Sequence, residues 1–178
     1  MKTVSQKQKE SFEKLKADFG YKNVNQAPRI EKIVVATGVG STTDKNKLKL
    51  VPEKLALITG QKPLEIKAKK SIAQFKVREG NLSAYKTTLR GENALGFLDK
   101  VIDIALPRTR DFRGLSADSV DEMGNYTFGI KENTIFPETT DEELRNVFGM
   151  SITIVVSNTN SKEETISFLK LVGLPFKK

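Results

Sequence analysis

Between Lys62 and Arg90 eight cations face two carboxylates: Lys62, Lys67, Lys69, Lys70, Lys76, Arg78, Lys86 and Arg90 against Glu65 and Glu79. Such a surface can neutralise phosphates, and an arginine can grip one bidentately. In an extended backbone the period of two puts Lys86, Thr88 and Arg90 on one side and Tyr85, Thr87 and Leu89 on the other. A cation, a hydroxyl and a guanidinium in a row suit phosphate and sugar contacts. A solvated face laced by salt bridges would use the same residues. The stretch Lys69 to Gly80 interleaves its cations with Ile72, Phe75 and Val77, a composition suited to a nucleic-acid backbone with one stacked base. For Phe75 the opposite expectation is slightly favoured, namely a ring tucked into the domain. Arg108, Arg110 and Arg113 make a second cationic node, which fits an RNA or acidic-protein contact, or equally a loop-fixing network with Asp111.

Enzymatic chemistry is harder to build from this chain. Its 178 residues contain no His and no Cys. That removes Ser-His-Asp triads, thiolate nucleophiles and the usual imidazole or thiolate metal sites. Gly38-Val-Gly40-Ser41 follows a β-branched run, but a dinucleotide fingerprint needs a glycine where Thr43 stands, and no Gly-Lys-Ser/Thr unit completes a phosphate loop. Strand-ending glycines explain it better. The acidic groups Asp118, Asp121, Glu122 and Asp141, Glu142, Glu143 could ligate magnesium, yet a turn and a helix start are the simpler reading. No cofactor, metal or catalytic residue is expected.

The formal charge of +8 is unevenly spread. Residues 1–114 hold 24 Lys and Arg against 12 Asp and Glu, a balance of +12, while residues 115–178 hold 6 against 10, a balance of −4. A polyanionic partner for the first two-thirds follows. No run approaches the roughly 18 apolar residues of a membrane span, and the first ten residues are polar, so a soluble, cytoplasmic protein without a membrane partner is expected.

The elements that must position these groups alternate in type. Phe12, Leu15 and Phe19 make one narrow stripe on a helix over 4–19 ending at Gly20. A strand follows Pro28. Leu48, Val51, Leu55 and Ile58 predict a second helix, regular only from about Pro52 and stopping at Gly60. Strands near Leu64–Ala68 and Ser83–Arg90 are joined by an excursion too long for a tight hairpin. Leu95, Leu98, Val101, Ile102 and Ala105 predict a third helix ended by Pro107. Strand character returns at Tyr126–Ile130 and Met150–Ser157. Thr140 with Glu143 and Ser161 with Glu164 match the capping box, so each should open a helix, the last closing at Gly173. The expected class is α+β, an antiparallel or mixed sheet with helices on one face and a long loop between two sheet strands. One domain over 1–178 is expected.

Several segments read together as one pattern: Phe19-Gly-Tyr-Lys-Asn-Val24, Pro28-Arg-Ile-Glu-Lys-Ile-Val34, Leu57-Ile-Thr-Gly-Gln-Lys-Pro63, Ala68-Lys-Lys-Ser-Ile-Ala-Gln-Phe-Lys-Val-Arg-Glu-Gly80, Thr88-Leu-Arg-Gly91, Ile104-Ala-Leu-Pro-Arg-Thr-Arg-Asp-Phe-Arg-Gly-Leu115 and Ile135-Phe-Pro-Glu138. Together they resemble one family, the bacterial large-subunit ribosomal protein five. The resemblance implies a non-enzymatic ribosomal protein that binds 5S rRNA at the central protuberance. It also implies contacts with large-subunit rRNA, P-site tRNA, a small-subunit head protein and neighbouring central-protuberance proteins. It assigns 5S rRNA binding to Gln61, Thr88 and Arg90, with Lys32, Lys62 and Lys86 beside them. It assigns tRNA contact to a loop carrying Lys69, Lys70, Ser71, Ile72, Phe75, Lys76 and Arg78. Arg108, Arg110 and Arg113 remain for rRNA or an intersubunit bridge. The family pattern has Asn where this chain has Ala36, so that contact is expected to be lost or supplied by a neighbour such as Lys32 or Thr37. Two other readings use the same residues: a phosphate-handling enzyme, and a regulator acting on RNA outside the ribosome.

Overall fold

The computed structural model describes residues 2–40, 44–75, 77–140 and 146–177. Among the described residues there are four α-helices, α1 (Val4–Phe19), α2 (Lys45–Thr59), α3 (Gly91–Lys100) and α4 (Lys162–Val172), and five strands. The strands are β1 (Arg29–Gly38), β2 (Leu64–Lys67), β3 (Leu82–Arg90), β4 (Asn125–Ile130) and β5 (Met150–Ser157), in the order β2-β3-β1-β5-β4 within one sheet. The sheet is open and antiparallel, and the fold is α+β as expected. Alternation along β5 buries Ile152, Ile154 and Val156 and leaves Ser151, Thr153 and Val155 less covered. That is the pattern of a sheet with one packed face and one open face.

The chain divides into two compact units, residues 1–33, 90–128 and 153–178 in the first and 34–89 with 129–152 in the second. In the first unit α1 packs on α3 and α4. Thr3 and Gln6 cap α1 reciprocally, a signal overlooked in the sequence, and the Val4 N–H donates to Asp99 at 2.8 Å. The buried stripe of α1 is Val4, Ser11 and Leu15 rather than the expected Phe12, Leu15 and Phe19. Phe12 stays half-exposed with the Lys16 ammonium 5.5 Å from its ring centre. The third helix also departs from expectation. After Lys100 it widens into a π-turn over Val101–Ala105, closed by the Leu106 N–H on the Val101 carbonyl at 2.9 Å. The extra residue per turn rotates the buried side so that Val101, Ala105 and Leu106 bury together, while Ile102 is only half-covered.

In the second unit α2 runs unbroken through Pro52, where a looser start was expected. Proline lacks the N–H that would bond the carbonyl four residues back, here Leu48. The Tyr85 hydroxyl from β3 donates to that carbonyl at 3.0 Å, so tertiary structure supplies the missing donor. Burial, with Glu65 adding to it, raises the Tyr85 pKa and keeps the phenol protonated as a donor. Tyr85→Phe is expected to lower stability by about 1–2 kcal/mol, read as a lower urea midpoint. An unchanged midpoint would mean that the Leu48 carbonyl needs no protein donor.

Candidate nucleic-acid interface

Strand β3 carries the predicted alternation. Tyr85, Thr87 and Leu89 are buried, Lys86 and Thr88 are half-exposed, and Arg90 is exposed at the strand end. In the second unit the antiparallel register pairs Leu64 with Lys86 and Ile66 with Ala84, so β2 adds these two apolar side chains to the open side. Gln61 and Lys62 are exposed in the turn that leaves α2. The turn is built by Gly60 in the left-handed conformation (φ 70°) and by Thr59, whose hydroxyl contacts the Leu55 carbonyl at 2.7 Å and accepts from the Gln61 N–H at 3.4 Å. Ala36 lies on the open side of β1, and the Ser151 hydroxyl donates to its carbonyl at 3.3 Å. Thr37 is a correction: it is 1% exposed on the packed side and cannot stand in for a missing contact on the open one.

In the first unit the alternation of β1 breaks. Ile30 and Ile33 both bury, and the odd spacing leaves Arg29, Glu31 and Lys32 all outside. Glu31 sits between two cations, its Oε1 lying 3.4 Å from Arg90 Nη1 and 3.4 Å from Lys32 Nζ. This carboxylate was overlooked in the sequence, because only pairing across strands brings residues 31 and 90 together. Hydroxyls extend the same face. Thr127 and Thr153 lie 2.9 Å apart, and Arg29 Nε donates to Ser157 Oγ at 3.3 Å.

The excursion between β2 and β3 is more ordered than its length suggests. Ile72 and Val77 exchange backbone hydrogen bonds of 2.9 and 3.2 Å around a 3-10 turn at Ala73–Phe75, and Ala68 and Asn81 are joined at 2.8 Å. Ser71 Oγ accepts from the Glu79 N–H. Lys69, Lys70, Ser71, Ile72 and Arg78 are exposed. Phe75 is 66% exposed, which overturns the expectation of a ring tucked into the domain. A three-residue 3-10 turn closed by a single bridge is too narrow to bury it. Lys76 lies outside the described residues, as do Ser41, Thr43 and the cluster Asp141, Glu142, Glu143 with the helix expected there.

Arg108, Arg110 and Arg113 are exposed after the π-turn, in the first unit. A C-terminal strap fixes the end of this segment. The Leu115 N–H donates to the Pro175 carbonyl and the Lys177 N–H to the Leu115 carbonyl, each at 2.8 Å. Phe176 meets the Tyr126 ring edge-on at 5.3 Å. Gly114 needs to be glycine twice over, with φ 94° and an added Cβ only 2.8 Å from the Lys177 nitrogen.

The acidic residues hold turns. Burial acts to raise the Asp121 pKa, but the Asn125 side chain, the Asn125 and Met123 N–H groups and the Lys162 charge outweigh it and lower the net value. Asp118 accepts from Ser116 Oγ at 3.0 Å. Among the described residues no group of three or more acidic side chains could hold a metal, and no helix is long and apolar enough to cross a membrane.

Comparison with known proteins gives this surface its context. Residues 23–78 match the family model described as ribosomal protein L5, and residues 83–176 match the model for the C-terminus of the same ribosomal family. The chain is 50% identical to large ribosomal subunit protein uL5 of Alkaliphilus metalliredigens over 161 residues, covering 90% of this chain and 89% of that one. It is 49% identical to uL5 of Malacoplasma penetrans, covering 96% and 91%, and 49% identical to uL5 of Acholeplasma laidlawii, covering 93% and 92%. Both family models and relatives that align along nearly their whole length show that this chain belongs to the ribosomal protein L5 (uL5) family, non-enzymatic structural components of the large ribosomal subunit.

Proposed function

We propose that the open sheet face binds 5S rRNA and helps seat it in the central protuberance. The second unit offers Gln61, Lys62, Lys86 and Thr88, and the first offers Lys32 and Arg90. The observation that carries this reading is the alternation of β3. Its packed side is committed to the core by Tyr85, Thr87 and Leu89, so Lys86, Thr88 and Arg90 all turn toward the opposite, more exposed side. A hydroxyl between two cations can meet a ribose while they meet the phosphates on either side. Ser151, beside Ala36, supplies a polar group where the family pattern has Asn.

The loop after β2 contacts P-site tRNA through Lys69, Lys70, Ser71, Ile72, Phe75, Lys76 and Arg78. An exposed ring among cations suits a contact that forms and breaks with each tRNA. Arg108, Arg110 and Arg113 serve large-subunit rRNA or the small-subunit head protein.

Gel-shift titration with 5S rRNA tests the sheet face. Arg90→Ala is expected to weaken binding about tenfold, and Lys49→Ala, an exposed cation on α2, to leave it unchanged. Glu31→Gln should do the opposite and strengthen binding severalfold, since it removes an anion that competes with phosphate for Arg90 and Lys32. Equal effects of Arg90→Ala and Lys49→Ala, or weaker binding with Glu31→Gln, would contradict the assignment.

A further inference from the structure

The first unit holds two neighbouring cavities, which share Arg29 with the open sheet face and lie outside the residues proposed there for 5S rRNA. One, of about 550 Å³, is lined by Phe19, Tyr21, Gln26, Asn158 and Glu164 among others. The other, of about 210 Å³, shares Asn25 and Asn158 with the first and is lined by Lys9 and Arg29. We propose that this pair of cavities binds one unstacked nucleotide of ribosomal RNA, the base in the larger cavity and the phosphate beside Lys9 and Arg29. The choice of RNA as the source of that nucleotide rests on reading the chain as an rRNA binder.

Three features favour a base. The Phe19 and Tyr21 rings are nearly parallel, with an interplanar angle of 23° and centres 6.2 Å apart, and Phe19 is only half-covered, so its outer face can stack. Two carboxamides on the wall are held from behind by backbone. Gln26 Oε1 accepts from the Lys22 and Asn23 N–H groups at 2.8 and 3.2 Å, which leaves the Nε2 donors unspent on that turn. Asn158, in the left-handed conformation at φ 63°, donates Nδ2 to the Asn25 carbonyl at 2.9 Å, which leaves Oδ1 as an acceptor. A fixed donor group and a fixed acceptor beside an aromatic wall match the edge and the face of a nucleobase. The polar groups at the back are already satisfied. Glu164, 2% exposed, accepts from the Tyr21 hydroxyl through Oε1 and from the Asn160 N–H through Oε2 at 2.8 Å.

A basic side chain from a partner protein fits less well. Both oxygens of the one carboxylate are engaged, and Lys9 and Arg29 would repel a second cation. The same two cations favour the phosphate of a nucleotide.

The test is an NMR titration of the full chain, following the side-chain amide signals of Gln26 and Asn158 as each of the four nucleoside 5′-monophosphates is added. Saturable shifts of both signals at millimolar concentration are expected with at least one of the four. Phe19→Leu, which keeps the apolar bulk and removes the π-face, should weaken that binding about fivefold or more. Arg29→Ala should weaken binding of the nucleotide and not of its nucleoside. Arg90→Ala should leave the titration unchanged while reducing 5S rRNA affinity, so failure of the cavity and failure of the sheet-face reading are separable. No shift with any of the four, equal shifts with inorganic phosphate alone, or larger shifts with N-acetylarginine amide would overturn the proposal.

Discussion

Raising monovalent salt from about 50 to about 200 mM is expected to weaken 5S rRNA binding by roughly fifty- to a hundred-and-fifty-fold. Four cations on the proposed face, Lys32, Lys62, Lys86 and Arg90, would each neutralise one phosphate and release its condensed counterion, with a log–log slope of about −0.7 to −0.9 per phosphate. Each alanine substitution among the four should make the slope shallower by about one unit, and Lys49→Ala should not change it. Thr88→Ala separates the two kinds of contact. It should lower affinity at every salt concentration and leave the slope alone, because a hydroxyl displaces no counterion. A wild-type slope near zero, or a slope unchanged by Lys86→Ala and Arg90→Ala together, would exclude the sheet face as the electrostatic contact.

Glu164→Ala is expected to produce the largest loss of stability, roughly 3 kcal/mol. The side chain is a buried acceptor for two donors, the Tyr21 hydroxyl and the Asn160 N–H. At the start of α4 Ser161 Oγ accepts from the Glu164 backbone N–H at 3.2 Å, a cap that Glu164→Ala leaves in place. Burial and the neighbouring carboxylate both raise the Tyr21 pKa well above the usual phenol range, so the phenol stays a donor across the accessible pH range. Tyr21→Phe removes one of the two donors and should cost less, and the Glu164→Ala, Tyr21→Phe pair should show strong coupling in a double-mutant cycle. Urea denaturation gives the measurement. A Glu164→Ala midpoint within error of the wild type would show that water satisfies both donors.

The strands carrying Lys86 to Arg90 and Ile152 to Val156 were legible, since period-two alternation follows from the pleat and needs no partner to be seen. The helix ends at Gly20, Gly60 and Gly173 were equally plain, because a left-handed residue is cheap only for glycine. The middle of α2 was not. Pro52 argues locally for a late helix start, and the donor that meets the Leu48 carbonyl in a helix beginning at Lys45 comes from Tyr85, 33 positions away in the sequence. Phe75 was misjudged because a hydrophobic ring in a sequence reads as core until the width of its turn is known.

Composition and local pattern thus determined the chemistry on offer: a basic first two-thirds, no imidazole or thiol, and an outward row of cation, hydroxyl and guanidinium on β3. Tertiary structure alone decided which of those groups meet. Glu31 reaches Arg90 through strand pairing, the C-terminal strap closes on Gly114, and residues from two ends of the chain, Phe19 and Tyr21 with Asn158 and Glu164, line one cavity. The physical reason is distance along the chain. Local rules act over a turn of helix or a step of strand, whereas contacts between residues tens of positions apart exist only after the backbone has paid its loop-closure entropy and the sheet has formed.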